Sequence, residues 1–335
     1  MLSSLKNQEV LKKKIIEAIG NFSNKKILII GDVMVDTYLW GEVNRISPEA
    51  PVPVVSCSKQ EHRLGGAANV ALNVKTLSCE PLLCAVTGDD LNGEVFKNLL
   101  KENNITDEFI IKDDFRPTTN KTRVIGHTQH LLRVDQESTD FIDSNIEGKI
   151  LKRIEPLISS KKIDVIIFQD YDKGVLTASI IKTVIRLANQ YDIPTLVDPK
   201  KRNFLSYEGA TLFKPNFKEL TEGLNLFVKK NDFEGMFEAG KKYLSTMDNH
   251  FLFLTLSELG VFITDGKTYD NIPARKREIA DVSGAGDTVI STIAASMAVG
   301  LPLYEVAELA NLAGGLVCEK VGVVPIYKEE LIQNI

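Results

Sequence analysis

The sequence predicts an α/β fold: a doubly wound, mostly parallel β-sheet with a small β-sheet lid beside it. Three observations carry this. Short apolar runs alternate with helical stretches, at Lys26–Ile30, Leu82–Val86, Asp164–Phe168, Thr195–Asp198, Thr211–Lys214 and Phe251–Thr255, which is the rhythm of βαβ units. The run Ile163-Asp-Val-Ile-Ile-Phe168 is continuously apolar after its aspartate, as expected of a central parallel strand covered on both faces. Two segments break the rhythm, at about 38–58 and 118–135, both rich in β-branched and alternating residues with no helical stretch between their strands. They are expected to pair as a small antiparallel sheet, the lid, in preference to ordinary edge hairpins.

From the N-terminus, Leu11, Ile15, Ile16 and Ile19 are spaced along one helical face, so an N-terminal helix over about 5–20 is expected to pack on the domain. The same stretch lacks the long apolar core of a secretory signal. After Asp281 the pattern is helical, through Ala285–Val299 and Leu303–Lys320. With no internal repeat, low-complexity tract or Pro/Gly/Ser-rich linker, residues 1–335 read as one domain carrying the lid.

Composition narrows the function. Of 335 residues, 44% are apolar and 25% charged, ordinary globular proportions. No apolar run approaches the roughly 20 residues that span a bilayer, so no membrane partner is expected and a cytoplasmic location is. The four cysteines, Cys57, Cys79, Cys84 and Cys318, form no CxxC pair and have no histidine cluster nearby, which excludes the usual zinc and disulfide frameworks. Net charge is −5 with scattered basic residues, which argues against nucleic acid and for a small-molecule substrate.

The strongest chemical motif is Asp281-Val-Ser-Gly-Ala-Gly-Asp287 followed by the helical run TVISTIAASMAVG. Small residues at Gly284, Ala285 and Gly286 let backbone N–H groups converge, and the helix adds the positive end of its dipole, making an anion cradle. Asp287 in that first turn repels phosphate but can accept a proton from an attacking hydroxyl, which suggests phosphoryl transfer. The competing reading is an aspartate that only complements the helix dipole.

A second motif is Lys214-Pro-Asn216-Phe217-Lys218-Glu219. If a helix starts near Asn216, an amide and a carboxylate one turn apart could hold magnesium-bound waters; a capping box, with Asn216 as N-cap and Glu219 reaching back, explains the same residues. A third, Thr255-Leu-Ser257-Glu-Leu-Gly260, places hydroxyls at a strand's carboxyl end, where α/β sheets bind ligands; the alternative is a plain turn into a strand at Val261–Thr264. GVFITDGKT, over 260–268, misses the P-loop spacing by one residue, and its Asp265-Gly266 pair reads instead as a hairpin turn. No GxGxxG follows the first strand, so a nicotinamide enzyme lacks its fingerprint. Near the N-terminus, Asp36 in GDVMVD and the Gly65-Gly66 pair of LGGAAN, with Asn69, offer a floor for a sugar: carboxylate for hydroxyls, bare backbone for close approach.

Together GDVMVD, GGAAN, TGDDLNG, KPNFKE, TLSELG and DVSGAGD, in this order, resemble the ribokinase-like (PfkB) carbohydrate kinases along nearly the whole chain. Within that family the sequence is most similar to the D-glycero-β-D-manno-heptose-7-phosphate kinases, the kinase half of bifunctional ADP-heptose synthesis proteins, through GDVMVDTYLWGEVNRISPEAPVPVV, GGAANVALNV, DYDKGVL, VDPKKRNF and DVSGAGDTVI. The resemblance implies a ribokinase-like fold, ATP and Mg2+ as cofactors, a sugar phosphate as acceptor and a homodimer joined through the lids. It implies Asp287 as base, Gly284, Ala285 and Gly286 as the anion hole, and Asn216, Phe217, Lys218, Glu219, Thr255, Ser257 and Gly260 as the ATP and magnesium side, Glu219 reaching the metal through water. Asp36, Gly65, Gly66 and Asn69 would face the sugar, and Arg45, Lys121, Arg123 and Lys173 are candidates for its 7-phosphate. The expected reaction is phosphorylation of the C1 hydroxyl, in ADP-heptose biosynthesis. The nucleotidyltransferase motif of the bifunctional relatives is missing, so the expected product is the bisphosphate. Met34 stands where ribokinase-type members often carry a polar sugar ligand, which disfavours ribose. The rival readings are the same chemistry on another sugar and a non-catalytic sugar-binding regulator.

Overall fold

Residues 12–126 and 129–335 are described by the computed structural model. Among them the strands are, in chain order, β1 (Lys26–Gly31), β2 (Val33–Ile46), β3 (Pro53–Gly66), β4 (Glu80–Gly88), β5 (Ile110–Asp113), β6 (Asn120–Gly126), β7 (Gln129–Gln136), β8 (Val165–Gln169), β9 (Thr195–Asp198), β10 (Leu212–Phe213), β11 (Phe251–Thr255), β12 (Val261–Thr264) and β13 (Tyr269–Ile272). The helices are α1 (12–20), then α2 (Ala67–Thr76), α3 (Leu91–Glu102), α4 (Ser144–Ser159), α5 (Ala178–Gln190), α6 (Phe217–Gly223), α7 (Phe233–Met247), α8 (Ala285–Ala298), α9 (Leu303–Val317) and α10 (Lys328–Asn334).

The main sheet runs β13-β12-β11-β10-β9-β8-β1-β4-β5. It is parallel from β11 to β5, with β12 and β13 added antiparallel at one edge. Alternation along β1 divides its side chains: Ile27 and Ile29 face a core shared with α2, α8 and α9, and Leu28 and Ile30 face one shared with α4 and α5. Both layers exist because a strand's side chains point alternately to its two faces, and each fully buried Leu, Ile or Phe stabilises by about 1.5–3 kcal/mol. Helix α4 shows how the helical layer is encoded. Asp143 accepts the N–H of Ile146 at 2.8 Å as N-cap, and Ile146, Ile150, Ile154 and Ile158 form the buried stripe. Helix α8 is buried from Asp287 through Ser296, and Ser291 and Thr292 are tolerated there because their hydroxyls donate to the carbonyls one turn back, at 2.7 and 2.8 Å.

The second sheet has the order β3-β2-β6-β7, and it corrects the expected lid in two ways. Its first two strands extend beyond 38–58, because β2 and β3 continue through buried Val33–Val35 and Leu64–Gly66 to the main domain, whereas β6 and β7 lie close to the expected 118–135. It is also mixed, since β2 and β6 pair in parallel. The chain between β3 and β6 passes through α2, β4, α3 and β5, a crossover long enough to bring the next strand back in the same direction.

Smaller differences follow similar logic. Of the N-terminal helix expected over 5–20, residues 12–20 are helical and 5–11 lie outside the described residues; Ile15 and Ile19 are buried, whereas Ile16 is 39% exposed and off the packed face. The strand expected at Thr211–Lys214 shortens to Leu212–Phe213, and β5 was not foreseen. The Asp265-Gly266 turn joins β12 to β13, with Asp265 accepting the N–H groups of Lys267 and Thr268 at 2.8 Å each. None of the described helices is long and apolar enough to cross a membrane.

Candidate active site

Four neighbouring parallel strands end on polar or small residues at one edge: Gly31 on β1, Gln169 on β8, Asp198 on β9, and Lys214 just beyond β10. The chain crosses between β1 and β8, where strand order reverses, and open α/β sheets bind ligands in the crevice outside that point. Helix α8 begins over it. Gly284 is its N-cap at φ +77°, a left-handed conformation that glycine adopts without strain, and a Cβ there would press the Asn69 amide at 3.0 Å. The N–H groups of Gly286 and Asp287 are among those that a helix start leaves without an intrahelical acceptor, whereas Ala285 donates to the Val282 carbonyl at 3.3 Å.

Asp287 is 5% exposed. Its Oδ2 accepts from Asn69 Nδ2 at 2.7 Å, and its Oδ1 accepts from the Tyr171 hydroxyl at 2.7 Å and Gln169 Nε2 at 3.2 Å. Burial pushes the carboxyl up to about 6; the Asn69 and Tyr171 hydrogen bonds pull it down, Asp198 pushes it further up, and Lys214 counters. The site therefore holds a carboxyl poised near neutrality, the range a general base needs. Asn69 is set by α2: the Asn73 amide donates to the Asn69 carbonyl at 2.9 Å, and Asn73 Oδ1 accepts from Thr288 at 3.0 Å and from the Ile326 N–H at 3.0 Å. Beneath it, the Lys214 ammonium and Asp198 form a 3.1 Å ion pair at 3% and 9% side-chain exposure, and the Gln169 amide donates to the same Asp198 oxygen at 3.1 Å.

The Asn216–Glu219 motif resolves locally into the capping box. Asn216 Oδ1 accepts the Glu219 N–H and a Glu219 oxygen accepts the Asn216 N–H, each at 2.8 Å, while the other Glu219 oxygen pairs with Lys200. Lys200 also lies over the Tyr171 ring at 5.8 Å. Burial alone would lower its ammonium, but Asp198 and Glu219 outweigh this and hold it above its usual range. Phe217 packs toward the core and Lys218 is exposed beside Glu222. A cavity of about 220 Å³ opens here, lined by Lys200, Lys201, Lys218, Asn216, Glu219, Glu222 and Asp172. Substituting Asn216 with alanine removes one half of the cap and is expected to lower stability by about 1 kcal/mol, read as a reduced urea midpoint at unchanged slope.

Thr255 ends β11 beside this loop, bridged to Asn216. Ser257 is exposed at φ +53° in a short 3-10 turn, and Gly260, at φ +87°, lies where a Cβ would meet the Ile272 carbonyl at 2.0 Å. Gly260 thus serves the turn into β12.

The sugar-side candidates divide. Asp36, Gly65, Gly66 and Asn69 come together at the junction of the two sheets; a Cβ on Gly65 would strike Asp36 Oδ2 at 2.3 Å. Asp36 is buried and paired with Arg123 at 2.5 Å. Lys121 and Lys173 are also brought together, but on a carboxylate: Glu137 accepts from both, at 3.2 and 2.8 Å, and Asp135 takes Lys121 at 3.1 Å. Arg45 is not part of this group; it is exposed at the far end of β2.

Residues that the sequence reading passed over complete the site. Gln169, Asp198 and Lys214 were legible as polar residues ending successive parallel strands, a rule applied there only to Thr255 and Ser257. Tyr171 lies within DYDKG, of which the sequence offers only Lys173 as a site candidate. Arg63, stacked on Tyr38 at 4.9 Å and reaching toward Gly322, had no local signal. Asp32 is a further case. Its buried carboxylate accepts the N–H groups of Tyr171, Lys173 and Val175 at 2.9, 3.1 and 3.0 Å, clasping the loop that carries Tyr171.

Known proteins resemble this chain in sequence and in fold. The profile described as pfkB family carbohydrate kinase matches residues 24–329. The chain is 40% identical over 309 residues to the bifunctional protein HldE of Methylobacillus flagellatus, covering 92% of this chain and 63% of the relative. It is 41% identical over 313 residues to that of Magnetococcus marinus, covering 92% and 64%. The chain thus spans a little under two thirds of these curated relatives. Among solved structures, the phosphofructokinase-2 from Escherichia coli in complex with fructose-6-phosphate superposes with a TM-score of 0.73 at 15% identity, over 92% of this chain and 97% of that one. The Arabidopsis thaliana ribokinase complexed with ribose and ATP gives 0.71 at 15% identity, over 93% and 98%. The architecture is therefore the ribokinase-like α/β fold with its smaller accessory sheet.

Proposed function

The chain belongs to the pfkB family of carbohydrate kinases, and from that premise we propose that it transfers the γ-phosphoryl group of ATP to the C1 hydroxyl of D-glycero-β-D-manno-heptose 7-phosphate, forming the 1,7-bisphosphate on the way to ADP-heptose. One observation carries the kinase reading: the Asp287 carboxyl, buried at the positive end of α8, is held by donors from α2 and from the loop after β8. The heptose assignment rests on the resemblance of residues 31–55 and 65–74 to the heptose 7-phosphate kinases, and on the level of identity to the HldE relatives.

In this reading Asp287 takes the proton from the C1 hydroxyl as its oxygen attacks the γ-phosphorus in line. N–H groups of Gly284 and Gly286 and the α8 dipole stabilise the charge on the transferred group, Ala285 joining them only if its N–H turns from the Val282 carbonyl. Asp36, Gly65, Gly66 and Asn69 orient the sugar. Lys121 and Lys173, which meet on Glu137, and Arg123, paired with Asp36, are the candidates for its 7-phosphate, and a phosphate entering between the lysines competes with Glu137. Lys200, Lys201 and Lys218 around the cavity suit the ATP phosphates. Glu219, beside Asn216 at the start of α6 and at the edge of the cavity, would hold a magnesium ion through water rather than by direct ligation. Bound there, magnesium supplies charge neutralisation across the phosphates. Strand β7 is exposed along its length, with Leu131, Leu132 and Val134 at 40–59% exposure, which suits a lid-to-lid homodimer of a cytoplasmic enzyme.

The test is incubation of the purified protein with magnesium and ATP beside D-glycero-β-D-manno-heptose 7-phosphate, fructose 6-phosphate, fructose 1-phosphate and ribose, following ADP release and product mass. Heptose bisphosphate with little turnover of the others is expected. Turnover of a different sugar would keep the kinase and reject the heptose, and no turnover of any would reject both.

A further inference from the structure

The base is held by more donors than a proton acceptor in waiting requires. A carboxylate oxygen offers two in-plane lone pairs. On Asp287, Oδ1 already faces the Tyr171 hydroxyl at 2.7 Å and the Gln169 amide at 3.2 Å, while Oδ2 has the Asn69 amide alone, at 2.7 Å. The free lone pair is therefore on Oδ2, the oxygen that adjoins the sugar-side residue Asn69. Tyr171 is not placed there by chance of a loose loop: its own N–H is bound by the buried Asp32 carboxylate at 2.9 Å, and Asp32 also binds the N–H groups of Lys173 and Val175.

Building on Asp287 as the base, we propose that Tyr171 is a positioning residue of the reaction: its hydroxyl, with the Gln169 amide, fills Oδ1 of Asp287, keeps the carboxylate anionic and leaves Oδ2 to receive the proton of the sugar hydroxyl. In the transfer step the sugar O–H bond breaks and the Oδ2–H bond forms. The electron pair left on the sugar oxygen makes the new bond to the γ-phosphorus, and the bond from that phosphorus to the bridging oxygen breaks, its pair leaving with ADP.

The groups facing Asp287 give the sign of the expected effect. Asn69 from α2 and Tyr171 and Gln169 from the β8 end donate to it, Lys214 after β10 is cationic, Lys200 stands beyond the Tyr171 ring, and Asp198 at the end of β9 is the anion. Burial pushes Tyr171 itself well above its usual range, so it remains a neutral donor. Deleting its hydroxyl removes a donor to the anion and raises the Asp287 pKa.

The experiment follows the Asp287 carboxyl by 13C NMR in ligand-free, aspartate-labelled protein, assigned as the resonance that Asp287→Asn removes. Wild type should titrate at about 6. Tyr171→Phe should titrate about one pH unit higher, the size expected from losing one hydrogen bond to a charged group. Gln169→Met should move the same way by less, and keeps the proposal testable if the tyrosine variant does not fold. The acidic limb of kcat/KM against pH, with D-glycero-β-D-manno-heptose 7-phosphate and magnesium-ATP, should move with the resonance. A titration unmoved in Tyr171→Phe, whatever its activity, overturns the proposal. Wild-type turnover by Asp287→Asn would instead remove the base reading beneath it, so the two failures are distinguishable.

Discussion

Asp287→Asn is expected to turn over about 10²- to 10⁴-fold more slowly than wild type, the loss that follows removal of a general base, with an unchanged far-ultraviolet circular dichroism spectrum. Asparagine keeps the shape and the place at the start of α8 but cannot accept a proton at neutral pH. Because the loss is confined to the chemical step, it should fall on kcat, with the Michaelis constants for ATP and sugar little altered. The wild-type pH profile supplies an independent check. The base acts only when ionised, so kcat/KM should fall as pH is lowered through about 6, the value to which burial pushes this carboxyl. The stability contribution of the same group has the opposite sense. A carboxyl raised in the folded state costs stability once the unfolded chain ionises, so that cost is absent below about pH 4, grows up to about 6 and is fully present above it. Turnover within a few-fold of wild type would sink Asp287 as the base.

The largest loss of stability is expected from Lys214→Met. The ammonium and the Asp198 carboxylate, 3.1 Å apart, are almost wholly shut off from water. Methionine is similar in length and removes only the charge, leaving Asp198 with the Gln169 amide and no cation. Breaking a buried pair from one side costs about 3–5 kcal/mol, because the surviving ion is desolvated without compensation. A urea denaturation midpoint lowered accordingly is the expected result, and the double variant Lys214→Met with Asp198→Leu should recover the greater part of it, since no bare charge then remains buried. Activity should not return with stability. The pair underlies Gln169 and Asp287, so both variants disturb the support of the Asp287 carboxyl. A single variant as stable as wild type would show that water reaches the pair.

Much of the architecture was legible in the chain. The alternation of apolar runs, the wholly apolar stretch at 163–168 and the Asp-Gly turn at 265–266 each report a local backbone state whose physics is contained within a few residues. The helix start after Gly284 was legible for the same reason, as were Asp287 within it and the capping pair Asn216 and Glu219. The mixed pairing of the second sheet was not, because strand direction depends on how a crossover of some fifty residues returns, and no local signal encodes it. Arg45 and Lys121 both looked like free bases in lid segments, yet one is exposed at a strand end and the other lies between Asp135 and Glu137.

What the sequence determined by itself was therefore the fold class, the family and the identity of the central carboxylate, since each is written in short-range pattern and ordered motifs. What only the tertiary structure decided was the state of that carboxylate: Asn69, the pair Gln169 and Tyr171, Asp198 and Lys214 come from four separate stretches of the chain and meet at one strand edge. Hydrogen bonding and desolvation act over a few ångströms of space irrespective of chain position, so an ordinary aspartate becomes a carboxyl poised near neutrality only when folding assembles those neighbours around it.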